Sequence, residues 1–411
     1  MKTIILLAWR NVWRNKRRTL ITAASILFAV LLSSFMQSIQ KGAWDRMVDN
    51  VVNFHYGYIQ IHSKGYWDEQ SIDKAFEEDG DWQDKLSEIG TIKNVVPRLE
   101  SFALGANGNN TKGVLVVGTN PEAENAMTGF KDRITKGSFF EEGEESVLIA
   151  EGAANNLGLE VGDTLILISQ GYHGVNAAGK YLVKGMVKFG SPELNKQMVY
   201  LPLKTAQRFY GANGLLTSVA IQVENKDEVE NTIASISQKL DTAAGYEVMG
   251  WQTMMPELVE AREVDTAGNV IVLMILYVII AFGIFGTILM MTKEREYEFG
   301  VLLAIGMKRM SMGIMVWFEI MFLGLLGAVA GIIASLPLVY YFNTHPVDFS
   351  KISKDMEQAY EKFGFEPIFP AAFDWQIFFT QAIVVVVLTT IMALYPLTKI
   401  RKLKAVQAMR A

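Results

Sequence analysis

A chain of 411 residues, half of them hydrophobic and one-fifth charged, is too apolar for an ordinary soluble protein and too polar to lie wholly in a bilayer. Its net charge of −5 argues against an extended nucleic-acid surface. It contains no cysteine, so a disulfide framework is excluded and the redox compartment stays open.

The first 18 residues, MKTIILLAWRNVWRNKRR, place Ile5, Leu6, Trp9 and Trp13 at helical spacing among basic residues. This pattern predicts an interfacial helix lying at a headgroup surface. A cleaved signal peptide is the rival reading, but no A-x-A-like site closes the apolar run that follows. Four runs reach the ~20 residues needed to cross a ~30 Å hydrocarbon core. The expected crossings are 19–41, 268–292, 313–342 and 375–398. Lys2, Arg10, Arg14, Lys16, Arg17 and Arg18 precede the first, and Lys399, Arg401, Lys402, Lys404 and Arg410 follow the last, with no acid at either end. By the positive-inside rule both termini are expected in the cytoplasm, in agreement with an even number of crossings, which puts both ends on one side. Residues 42–265 then lie outside it, with 33 acidic against 19 basic side chains, a net of −14.

That segment has the composition of a folded α+β domain. GAWDRMVDNVVNFHYG is expected to continue the first crossing as a stalk helix, and YGYIQIHS alternates as a half-buried strand. KGVLVVGT, ESVLIAEG, DTLILISQ, GKYLVKGMVKF, QMVYLPL and TSVAIQVE are short strands bounded by turn residues. Short helices are expected at AEGAANNLG and KTAQRFYG. A longer one, KDEVENTIASISQKL, carries Val229, Ile233, Ile236 and Leu240 on one face. The arrangement predicts two lobes, a strand-rich outer one (about 105–217) inserted into a membrane-proximal one. A second stalk would run from Thr253 into the second crossing. The extracytoplasmic loop 343–374 is expected to contain a helix at ISKDMEQAYEKFG.

No catalytic constellation appears. His55, His62, His173 and His345 lack metal-site spacing, and Glu141, Glu142, Glu144 and Glu145 read as a solvated loop. G-x-S-x-G, H-E-x-x-H and the phosphate-cradling G-x-x-x-x-G-K-[ST] are all missing. If ATP drives this protein, another chain must bind it. The third run carries Gly324, Gly327, Ala328 and Gly331, a row that lets helix backbones approach, and Glu319 near its inner end.

Between the second and third runs lies KEREYEFGVLLAIGMKR. Residues 294–305 match a short amphipathic helix with Glu294, Glu296 and Glu298 near its start and Lys308 and Arg309 near its end, the polarity a helix dipole favours. Gly306 is the expected left-handed stop. Gly300 in mid-helix costs about 1 kcal/mol relative to Ala, which hints at a close neighbour.

These residues resemble a known family. EYEFGVLLAIGM (Glu296–Met307) is similar to the E-x-G-x-x-x-A-x-G segment of the FtsX-like permeases of ABC transporters, the MacB-type group that includes the lipoprotein-releasing LolC and LolE branch. YPLTKIRKLKAVQAMR resembles the family's C-terminal signature, WRNVWRNKRRTL its N-terminus, and LIAEGAANNLGLEVGDTL its extracytoplasmic domain. GYIQIHSKGY (Gly57–Tyr66) looks closest to the lipoprotein-releasing branch. The resemblance implies four transmembrane helices with stalks and a large two-lobed α+β extracytoplasmic domain. It also implies a permease subunit of the inner membrane, not itself an enzyme, with residues 293–312 as a cytoplasmic coupling loop. A separate ABC ATPase dimer would bind ATP and Mg, and this chain no cofactor. Glu298, Gly300, Val301, Ala304, Ile305 and Gly306 are the expected ATPase contacts. Phe35, Met36, Ile39, Val270 and Ile271 are expected to touch substrate at the outer ends of the first two crossings. A second permease chain, a periplasmic carrier or adaptor and membrane lipid are the other expected partners. Extraction of lipoproteins is the leading function. The alternatives are a MacB-like exporter and an FtsX-like transducer that activates cell-wall hydrolases.

Overall fold

The computed structural model describes residues 2–78, 80, 82–240, 245–348, 351 and 368–402. The helix expected at 352–364 lies outside the described residues. Contacts divide the chain into two units, one built from the long apolar helices and the other centred on Arg46–Ala261.

The helical unit contains α1 (Lys2–Arg14), α2 (Lys16–Val51), α3 (Pro256–Glu294), α4 (Glu296–Ala304), α5 (Arg309–Thr344), α6 (Trp375–Met392) and α7 (Leu394–Lys402). Among the described residues four spans are long and apolar enough to cross a membrane: one each in α2, α3 and α5, and one made by α6 with α7. At 1.5 Å per residue α2 and α3 are about 54 and 58 Å long, well beyond the ~30 Å a bilayer core requires. The surplus is the stalk that the sequence implies.

α5 is the packing centre, and its small residues explain why. A Cβ placed on Gly331 would lie 2.7 Å from the Val30 Cβ, and one on Gly324 would lie 3.2 Å from Thr389 Cγ2. The G-x-x-x-G row therefore seats α5 against α2, and Gly324 seats it against α6. Ile26, Val30, Ile320, Leu323, Ala328 and Val385 fill the core between them. α1 lies along α5: Ala8 and Val12 are buried and the Trp9 ring meets Phe322 edge-on at 5.4 Å. Leu6, Trp9 and Trp13 remain exposed, as an interfacial helix requires. The chain entering α6 is strapped to α2. Ala372 N–H donates to the Ser38 carbonyl at 2.8 Å, Lys41 pairs with Asp374, and Gly42 leaves room for the Pro370 carbonyl. A two-residue ladder, Val347–Asp348 with Ile368–Phe369, closes the base of the preceding excursion.

The second unit is a ten-stranded sheet of β1 (Ile59–Ser63), β2 (Ile92–Asn107), β3 (Asn110–Thr119), β4 (Ile134–Gly137), β5 (Ser146–Ala150), β6 (Thr164–Gln170), β7 (Asn176–Val187), β8 (Met198–Pro202), β9 (Ser218–Val223) and β10 (Tyr246–Gly250). The order is β10-β1-β9-β2-β3-β8-β5-β7-β4, and β6 pairs with both β2 and β7. That double pairing closes β2, β3, β8, β5, β7 and β6 into a barrel, which removes exposed edges. β2 belongs to both lobes. Its first half pairs with β9 and Leu104–Ala106 pair with β6. The expected helices form at Glu151–Leu157, Leu203–Tyr210 and Val229–Lys239, the first two stopped by left-handed Gly158 and Gly211.

One expectation is corrected. β1 is not half-buried, because Gln60 and His62, its polar face, are as hidden as Ile59 and Ile61. The register explains this. β1 lies between β9 and β10, and its polar face joins a buried polar layer that continues through Ser218, Arg98 and Thr119 on the neighbouring strands. At its centre Arg98 donates through Nε and Nη2 to the two oxygens of Glu124, at 2.9 and 2.7 Å, and through Nη1 to the His55 carbonyl. Thr119 Oγ1 donates to Glu124 at 2.8 Å, and Glu100 lies 3.6 Å from the guanidinium. Burial pushes the Glu100 carboxyl up, against the pull of Arg98. Burial and Arg98 together hold the His55 ring well below its usual range.

Candidate functional site

The segment between α3 and α5 folds as sequence periodicity predicts. α3 breaks at Arg295 (φ −99°, ψ 6°), and α4 ends in a Schellman arrangement: Met307 N–H reaches the Leu302 carbonyl at 3.0 Å and Gly306 N–H the Leu303 carbonyl at 3.1 Å. Gly306 sits at φ +100°, where a side chain would be strained.

α4 has two faces. Phe299 and Gly300 are buried, and Leu302 and Leu303 pack against the helical core. Gly300 is therefore covered by residues of this chain. On the other side Tyr297, Val301, Ala304 and Ile305 fall within one ~100° stripe, with Tyr297 57% and Ile305 78% exposed. An exposed apolar stripe ending at an exposed glycine, rimmed by Lys308 and Arg309, suits a docking surface rather than a core.

Ion pairs set the angle of this helix. Arg295 Nη1 donates to both oxygens of Glu319 on α5, at 2.7 and 2.5 Å, and Arg295 Nε donates to Glu298 at 3.1 Å. Arg14 of α1 also pairs with Glu298. Burial pushes the Glu298 carboxyl up, but hydrogen bonds from Arg14 and Arg295 outweigh it and hold the group below the usual carboxylate range. Glu296 pairs with Lys293 at 2.7 Å and approaches Lys399 of α7 at 3.8 Å. Glu298 is thus engaged within the chain while its side chain stays 44% exposed. Glu319 does not snorkel to water. It is fully buried against Arg295, a partner the sequence pattern did not single out among the charges of KEREYE.

The five residues expected at a substrate surface do not share one. Phe35 and Ile39 pack inward with Val339, Phe342 and Phe378, and the Phe35 and Phe342 rings lie 5.2 Å apart. Met36 is half-buried, and Val270 and Ile271 are about half exposed. Between them α2 and α3 are joined by polar contacts. Asn269 Nδ2 donates to Gln37 at 3.0 Å, and Asp265 accepts from Gln40 at 3.0 Å and from the Trp44 indole at 2.6 Å. Much of the apolar part of α3 beyond this seam is bare: Ile275, Val278, Ile279 and Phe282 are all exposed.

Four apolar spans and a separate α+β unit define a multi-pass membrane protein with a large folded domain besides its helices. The family model described as the MacB-like periplasmic core domain matches residues 19–239, and that of the FtsX-like permease C-terminal region matches 270–405. The chain belongs to the FtsX-like permeases with a MacB-like periplasmic core domain, an ABC transporter permease family. It is 22% identical over 329 residues to the lipoprotein-releasing system transmembrane protein LolC of Neisseria meningitidis serogroup B, covering 77% of this chain and 74% of that one. It is also 22% identical to the macrolide export ATP-binding/permease protein MacB of Nitrosomonas europaea, with 84% of this chain matching 53% of that protein. The solved periplasmic region of MacB from Actinobacillus actinomycetemcomitans aligns with a TM-score of 0.37 at 15% identity, covering 52% of this chain and 97% of that one.

Proposed function

We propose that this chain is the membrane subunit of a lipoprotein-releasing transporter of the inner membrane, with both termini and α4 on the cytoplasmic side. A separate ATPase dimer docks on the exposed stripe of α4, and its nucleotide cycle is carried through the helical bundle to the extracytoplasmic domain. The observation that carries this reading is α4 itself: a short helix fixed by its inner face and its ion pairs, with Tyr297, Ala304 and Ile305 exposed and Val301 half-buried between them. Basic flanks without acids at the ends of the chain support the orientation. The bare face of α3 suits lipid or a second permease chain, as a complex with a paired ATPase calls for. The share of LolC-type relatives covered by this chain favours lipoprotein release over the export function named for MacB-type relatives.

The test is reconstitution. Ile305→Asp and Tyr297→Ala should insert normally yet lose co-purification with the partner ABC ATPase. In proteoliposomes the intact complex should release a fluorescent triacylated lipoprotein only with ATP and Mg. Wild-type ATPase retention by both variants would end the docking assignment, and ATP-independent or absent release would end the lipoprotein one.

A further inference from the structure

We infer that Arg295 and Glu319 form the joint that carries displacement of α4 into α5, which makes them positioning residues for coupling rather than contacts with the ATPase. The inference rests on the proposed docking role of α4.

The helical backbone is interrupted where α3 gives way to α4. Arg295 is non-helical there, so neither helix constrains the other through continuous hydrogen bonding. The side chain of this same residue is 96% hidden and reaches α5, where Glu319 is fully buried. Glu319 stands ten residues beyond Arg309, the first residue of α5, about 15 Å along the helix. The short loop 305–308 joins α4 to the start of α5, and the ion pair joins the other end of α4 to a point further along it. Two attachments at opposite ends turn a flexible link into a rigid triangle.

The chemistry suits a joint better than apolar packing would. Apolar side chains can slide past one another at little cost, whereas moving Arg295 off Glu319 strands two charges among Met291, Phe299, Met315 and Ile320. A buried ion pair adds little net stability over apolar residues of the same size, but it strongly disfavours other registers. The Arg295 guanidinium also lies 5.3 Å from the Phe299 ring centre and donates to Glu298, so its orientation is set from α4 as well as from α5. Arg14 holding Glu298 from α1 adds a more exposed clasp on the same side.

Amide hydrogen exchange on the full chain in lipid nanodiscs tests the joint, with and without the bound ATPase. In Glu319→Gln and Arg295→Met, amides of 296–305 should exchange at least ~10-fold faster than in wild type, and the swap Arg295→Glu with Glu319→Arg should restore most of the protection. With the ATPase bound, replacing ADP by ATP and Mg should alter exchange at 336–344, the far end of α5. That response should vanish in the single variants although the ATPase still co-purifies, and it should return in the swap. Wild-type exchange across 296–305 in both single variants would overturn the joint, as would a nucleotide response that survives its loosening. An ATPase that fails to bind the wild-type chain would instead end the docking reading, and the exchange rates of 296–305 alone would then decide whether the pair holds α4.

Discussion

A Cβ added to Gly327 would sit 2.6 Å from the Cβ of Ile26, closer than two such carbons can approach. The crossing of α5 over α2 therefore depends on a missing side chain. Gly327→Ala should lower the stability of the full chain by about 1–3 kcal/mol, because the contact is with helix backbone and a β-branched residue that cannot swing away. Gly283 of α3 has nothing within 4 Å, so Gly283→Ala should be neutral or slightly stabilising. Thermal unfolding in detergent compares the two, and equal melting temperatures would remove the close crossing.

Arg98 and Glu124 make a two-point contact inside the sheet domain, with side chains 0% and 1% exposed. Breaking it should be costly: Arg98→Met or Glu124→Gln should destabilise the domain by about 3–5 kcal/mol, since each leaves a buried charge without its partner. Arg98→Lys should fail to rescue it, as an ammonium cannot span both oxygens and the His55 carbonyl. Urea unfolding followed by tryptophan fluorescence reports the difference.

His62 gives the same layer a pH dependence. Burial lowers its pKa from 6.5 to about 4. In the unfolded chain it takes up a proton near pH 6.5, and in the folded chain only near 4. Between those values the unfolded state holds more protons, so this contribution to stability falls as pH falls. The loss amounts to about 3 kcal/mol across the window. His62→Gln removes the titration, so the stability gap between wild type and variant should shrink or reverse from pH 7 to pH 4. A gap that stays constant with pH would show that His62 titrates normally.

Gly306 and Gly300 should fail in different ways. Gly306 has open space but φ +100°, so Gly306→Val should strain the end of α4 by about 1–2 kcal/mol while Gly306→Asn is better tolerated. The expected readout is weakened ATPase co-purification at normal expression. Gly300 is buried, so Gly300→Leu should instead reduce yield and melting temperature of the chain by itself. If both variants lose only ATPase binding, Gly300 faces outward in the working protein.

Much of the element list was readable from local pattern. An apolar run of ~20 residues has no other low-energy solution in a bilayer than a helix, and α4 announces itself through acids at its start and a glycine at its stop. Of the four residues that spacing predicts on one face of the helix Val229–Lys239 and its C-cap, Val229, Ile236 and Leu240 are buried and Ile233 is partly buried against the same core. These features depend on neighbours in sequence, where periodicity carries the information.

Pairing between distant residues was not readable in that way. His62 looked like the polar side of a half-exposed strand, because alternation records which residues share a face but not whether that face meets water. Arg295 was one charge among several, and only folding back of α5 supplied Glu319 24 positions later. The G-x-x-x-G row signalled a close helix contact, and the fold alone decided that its partner was Ile26 and Val30 of α2. The barrel likewise closes because β6 pairs with β2 across some sixty residues. Short-range sterics and hydrophobic period determine what each segment becomes, and they are written locally. Which charge is buried against which, and which faces meet, follows from minimising exposed apolar surface and unpaired polar groups over the whole chain at once.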